Sequence, residues 1–95
     1  MQVVEGLDFD RSWLQDKLEP NDYFARALES GVARRHAWVR AENEANRQMV
    51  GEVWCEGDEL WYWRNRINGG ISGTDGLVLL RNGEVVRVWC NGIIL

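Results

Sequence analysis

The tripeptide Val-Trp-Cys occurs twice, at Val53-Trp54-Cys55 and at Val88-Trp89-Cys90, and each copy runs into a glycine. The match extends over Val50-x-x-Val53-Trp54-Cys55-x-Gly57-x-x-Leu60 and Val85-x-x-Val88-Trp89-Cys90-x-Gly92-x-x-Leu95, with six of eleven positions shared at an offset of 35. Trp and Cys are rare, and valine and tryptophan favour a pleated, half-buried surface. The repeat therefore predicts two strands with equivalent places in one sheet.

Turn signals extend that reading. Asn82-Gly83 and Asn91-Gly92 match the type I′ hairpin turn, whose two central residues both need positive φ. They predict a three-stranded meander of Leu77 to Arg81, Glu84 to Cys90 and Ile93 to Leu95. Upstream, Val50 to Cys55 and Leu60 to Arg66 flank Glu56-Gly57-Asp58-Glu59, a four-residue loop with the expected glycine, and predict a hairpin. Asn68 to Gly76 reads as a glycine-rich connection. It lacks the lysine of a phosphate-binding loop and precedes a strand rather than a helix, so it is not expected to hold an anion.

The first half is helical in pattern. Asp10 or Ser12 can cap a short helix carrying Trp13, Leu14 and Leu18 on one face. Pro20 suits the first turn of a second helix, with Tyr23, Phe24, Ala27 and Leu28 as its apolar stripe and Ser30-Gly31 as its stop. Residues 32–48 fit two patterns. Ala33, Ala37, Ala41 and Ala45 recur at helical spacing, whereas His36 to Arg40 alternates like a strand; the helix is the favoured reading. Residues 1–7 read as a short leading strand or an arm. The fold expected is α+β in one domain over residues 1–95: two or three N-terminal helices packed on a C-terminal antiparallel sheet of about five strands, hairpin plus meander.

Charge narrows the function classes. The chain of 95 residues has a formal charge of −4, and Lys17 is the single lysine among its eleven basic residues. Residues 1–30 hold seven acids against three bases, and residues 31–48 hold four arginines against two acids. A nucleic-acid binder relies on a basic balance to neutralise phosphates, so no nucleic-acid partner is expected. An acidic start and an arginine-rich middle favour a protein partner or self-association, including a dimer. No apolar stretch approaches the ~20 residues of a membrane helix, and no leader pattern is present. The two cysteines are therefore expected to be reduced and buried, in the cytoplasm.

Alternation places Val53, Cys55, Val86, Val88 and Cys90 on the core side of the sheet. Glu52, Trp54, Arg87 and Trp89 fall on the other, with a cross-strand Glu52–Arg87 pair if the two copies are neighbours. Trp61 and Trp63 share one side of the next strand; Leu60, Tyr62 and Arg64 share the other. A partner-binding surface of Trp54, Trp61, Trp63, Arg64, Arg87 and Trp89 is expected, since Trp and Arg supply most interface hot spots. Ile93, Ile94 and Leu95 form a candidate pairing edge.

Catalytic and metal-binding patterns are weak. His36, Cys55 and Cys90 do not form a nucleophile–base pair by spacing, and there is no Cys-x-x-Cys. No cofactor, metal site or catalytic residue is expected. The leading expectation is a small acidic, non-catalytic protein-binding module of the inhibitor, immunity-type or accessory kind, from a prokaryote or phage. The alternative is a small-ligand or peptide-binding domain with a tryptophan-lined groove on the sheet.

Overall fold

The structure, a computed structural model, describes residues 1–67 and 72–94. It is α+β, as expected, with three α-helices and one five-stranded antiparallel sheet. The elements are β1 (Gln2–Val4), a 3-10 turn (Arg11–Trp13), β2 (Leu14–Leu18), α1 (Pro20–Glu29), α2 (Gly31–Arg35), α3 (Ala37–Val53), β3 (Glu59–Ile67), β4 (Ser72–Arg81) and β5 (Glu84–Ile94). The chain forms two compact units, a sheet unit of Met1–Leu18 with Gly57–Leu95 and a helical unit of Glu19–Glu56.

In the sheet unit the strand order is β1-β5-β4-β3-β2. Asn82 and Gly83 take φ of 52° and 81° and join β4 to β5 as the predicted tight hairpin. The second Asn-Gly behaves differently. Asn82 is the only non-glycine with positive φ among the described residues, so Asn91 stays extended and no type I′ turn forms. Asp75 pairs with Gly92 and Gly76 with Cys90, which leaves Asn91 as the extra residue of a β-bulge. Ile93 and Ile94 thus continue β5, opposite Thr74 and Gly73, instead of forming a third meander strand. Residues 68–71 of the predicted glycine-rich connection lie outside the described residues, as does Leu95; Gly73 to Gly76 belongs to β4.

The first half of the sheet also departs from the pattern. Asp10 does cap, accepting from Ser12 N–H at 2.9 Å, but it caps one 3-10 turn only. Leu14 to Leu18 then extend and pair with β3 from Trp63 to Leu60, so the predicted helical face of Trp13, Leu14 and Leu18 becomes an edge strand. The leading residues form β1, which pairs with β5 from Gln2–Cys90 to Val4–Val88. After β1, Gly6 at φ +71° turns the chain in a backbone region open mainly to glycine.

One face of the sheet buries Trp63, Val78, Leu80 and Val88, with Val4, Phe9, Trp13, Leu14, Trp61 and Cys90 packed against them. Phe9 anchors this cluster edge-on, its ring centroid 5.3 Å from Trp13 and 5.8 Å from Trp63. Full burial of such side chains contributes about 1.5–3 kcal/mol each. The alternate positions Leu60, Leu77, Leu79 and Trp89 are buried as well. A second bulge, where Leu79 pairs with Arg87 but Leu80 with Val85, takes Val86 out of the predicted core row and leaves it exposed.

The helical unit contains the largest correction. Val50 to Val53, the start of the first repeat copy, is the last turn of α3, closed by Trp54 N–H donating to Val50 O at 3.0 Å. Trp54 and Cys55 follow the helix and are not in a strand, so Glu52 and Arg87 share no ladder. Glu56 to Glu59 links a helix to a strand, with Gly57 at φ +89°, and is not a hairpin loop. The second helix is as predicted. Pro20 is its first residue, and Glu19 accepts from Asp22 N–H at 2.6 Å. Ser30 ends α1 and also caps α2, accepting from Ala33 N–H at 3.1 Å. Residues 32–48 are helical apart from a break at His36. Asn43 Nδ2 ties α3 to α1 through Ala27 O at 3.1 Å, around buried Phe24, Ala33 and Val50. Among the described residues no helix is long and apolar enough to cross a membrane.

Candidate functional site

The joint between α2 and α3 determines which side chains of the helical unit face outward. His36 N–H donates to Val32 O at 2.9 Å, closing α2, and His36 O accepts from Val39 and Arg40, opening α3. The helix restarts after one extended residue, His36 at φ −130°. Val32 is left 50% exposed and Trp38 68% exposed. Trp38 alone of the six tryptophans is exposed. The His36 ring lies beside it, with centroids 6.4 Å apart.

The charges nearest it in sequence are basic, and Glu42 follows one turn later on α3. Residues 30–41 contain Arg34, Arg35, His36 and Arg40 and no acid, and these four side chains are exposed. Arg35 Nε is held by Gly31 O at 3.1 Å, which fixes that guanidinium against its own helix. Further along α3 two charges are paired. Glu44 and Arg47 form an ion pair with bonds from Arg47 Nε at 3.0 and 3.1 Å. That pairing holds the Glu44 carboxyl below its usual range and raises Arg47. The bond to Arg47 dominates, with Arg40 adding a smaller electrostatic pull on Glu44.

The tryptophans expected to form a contact surface are mostly withdrawn from it. Trp63 and Trp89 are each 1% exposed. Trp63 Nε1 donates to two sheet carbonyls, Leu77 O at 3.0 Å and Trp89 O at 3.1 Å, so its polar handle is satisfied internally. Trp89 occupies the face opposite Val88 as alternation implied, but that face is buried too. Trp61 is half-buried, with Nε1 on Glu59 Oε1 at 3.1 Å.

Arg64 sits opposite Asp75 and is half-buried, its Nε enclosed without a hydrogen-bond partner. Asp75 Oδ2 accepts from Tyr62 OH at 2.9 Å. Arg87 is exposed on β5. Trp54 has left the sheet altogether and lines a cleft of about 250 Å³ between the start of α1 and the end of α3, with Phe24, Val50, Gly51 and Arg47. Trp54 therefore cannot line a groove on the sheet and lines a cleft between helices instead.

The cysteines divide. Cys90 is half-buried beside the Trp63 cluster, whereas Cys55 is exposed because the residues around it are not a strand. Among the described residues no three His, Cys, Asp or Glu side chains are grouped to hold a metal ion.

Trp38 is not among the residues of the expected contact surface, which was drawn from the strands, and it lies on α3. The signal that distinguishes it is the acid-free stretch of residues 30–41. Comparison with known families, with curated proteins and with solved structures finds no match for this chain.

Proposed function

We propose that this chain is a small, non-catalytic protein-binding module, of the inhibitor, immunity-type or accessory kind, whose contact surface is centred on Trp38. The observation that carries this reading is a 68% exposed tryptophan among three arginines with no acid from residue 30 to residue 41. An indole left in water forgoes about 1.5–3 kcal/mol or more of burial free energy, and Trp and Arg are the side chains most enriched at interface hot spots. Val32 adds a second exposed apolar group at the same joint. The overall charge of −4 argues against a nucleic-acid role for so small a basic patch.

The test is affinity capture from the native host, read by mass spectrometry, with wild-type and Trp38→Ala protein side by side. A partner retained by the wild type and lost by the variant supports the reading; identical captured sets overturn it.

The Trp54 cleft favours a second reading, a receptor for one small apolar group. Phe24 and Val50 supply a buried floor and Trp54 a half-buried wall. A ligand there would alter Trp54 emission, and Gly51→Leu, which projects a side chain into the cleft, would abolish that change.

A further inference from the structure

Resting on the reading of Trp38 as a contact surface, we infer that its partner is a second copy of this chain, which receives Trp38 and Arg34 in a dent formed by Asp8 to Trp13. That dent has a volume of about 540 Å³ and is lined by Asp8, Phe9, Asp10, Arg11 and Trp13. Its floor is aromatic. Phe9 and Trp13 are half-buried and set edge to face at 79°, a geometry that leaves ring surface available for a further indole in offset or edge contact.

Its charge is opposite to that of the donor. Residues 1–10 carry Glu5, Asp8 and Asp10 and no basic side chain, and all three acids are exposed. Arg11 lines the dent as well, and its guanidinium is held by donating to Gly83 O. Asp10 is committed to capping Ser12, whereas Asp8 is the carboxylate at the rim that is not needed for local structure. On the donor side Arg34 has no hydrogen bond or ion pair from its side chain among the described residues, and Arg35 is held by Gly31 O. Arg34 and Asp8 are therefore the natural charge pair.

Donor and acceptor are different surfaces, so the contact is heterologous: each copy can give one Trp38 and receive another. Complementary charge supplies orientation and encounter rate, and the indole supplies most of the affinity.

The test uses sedimentation velocity on the full chain at low salt over a range of concentrations. Wild type gains mass with concentration and loses it on adding salt. Trp38→Ala lacks the donor and Asp8→Arg lacks the acceptor, so each weakens self-association at least about tenfold. An equimolar mixture of the two re-forms one intact contact and gives a heterodimer. Circular dichroism confirms the fold of each; should Trp38→Ala lose it, Arg34→Glu takes its place as the donor defect.

A wild type that stays monomeric, a Trp38→Ala that associates normally, or a mixture that remains monomeric overturns the inference. These outcomes leave the protein-binding reading standing if Trp38 still governs capture of a host protein, in which case the acidic acceptor belongs to another protein. Loss of both results removes the two readings together.

Discussion

Asp58 accepts two hydrogen bonds from one guanidinium: Arg81 Nε reaches Oδ1 and Nη2 reaches Oδ2, each at 2.9 Å. The carboxylate side chain is 1% exposed and the guanidinium 39%. Asp58 immediately precedes β3 and Arg81 ends β4, so the pair closes the β3–β4 ladder beside the Asn82-Gly83 turn. Arg81→Ala leaves a carboxylate inside without its fork. The expected loss is about 2–3 kcal/mol, below the ~3–5 of a fully buried pair because Arg81 reaches solvent. Adding Asp58→Asn to Arg81→Ala should recover part of that loss, measured by urea unfolding.

Two glycines should respond to alanine in opposite directions. A Cβ on Gly76 would lie 1.9 Å from Trp89 O and 2.8 Å from Trp89 C. Trp89 O is also the acceptor for Trp63 Nε1, so Gly76→Ala displaces a backbone on which the buried indole depends. A loss of about 3 kcal/mol, the upper end of overpacking costs, is expected. Gly51 lies within α3 and a Cβ there meets nothing within 4 Å. Gly51→Ala should therefore stabilise by about 0.5–1 kcal/mol through helix propensity and a less flexible unfolded chain. Urea midpoints of both variants check the two signs.

Emission should sort the tryptophans by accessibility and local charge. Trp38 is the exposed indole, and Arg34, Arg35 and Arg40 outnumber Glu42 within four residues of it. Iodide should quench it better than caesium does, and Trp38→Phe should remove that fraction and shift the remaining emission to the blue. Equal quenching by the two ions, or no change in Trp38→Phe, would contradict the surface described above.

Acid should weaken the fold at two identifiable places. Asp10 is held below the usual carboxylate range mainly by the backbone N–H of Ser12, and Glu44 mainly by Arg47. Depressed carboxyls lend stability that is fully present above their unfolded-state range and disappears as pH falls through their lowered values. Melting temperature should thus hold from neutral pH down to that range and drop below it. The drop should be shallower in Asp10→Asn, which keeps an acceptor for Ser12 but no longer titrates.

The repeat shows how far the sequence carries. Val-Trp-Cys has strand character in both copies, and only the second is a strand. Val88 to Cys90 follow a tight Asn-Gly turn that imposes pairing with β4. Val50 to Val53 instead follow thirteen residues that are already helical, and adding one turn to an existing helix is easier than starting a strand. Strand propensity yields to context.

The α1 helix, the Asn82-Gly83 hairpin and β3 were legible because proline, glycine and alternation each leave few options. Strand β2 was not, since Leu14 to Leu18 has good helix formers and is extended only through pairing with Leu60 to Trp63. The bulges at Val86 and Asn91 were equally hidden, because an inserted residue breaks alternation without any mark of its own. At the site, tryptophan identity was visible and burial was not: Trp38 and Trp89 differ in surroundings, not in chemistry.

The sheet unit is interrupted in sequence, and its outermost pairing joins Gln2 to Cys90. The helical unit between them relies on contacts close in sequence, such as Asn43 to Ala27. Loop closure must be completed before a distant pairing is rewarded, so local elements form first and long-range ladders last. On the ribosome, β1 therefore waits without a strand partner until β5 has emerged. That interval makes the N-terminal segment, with its valines, the part of this protein most dependent on timing.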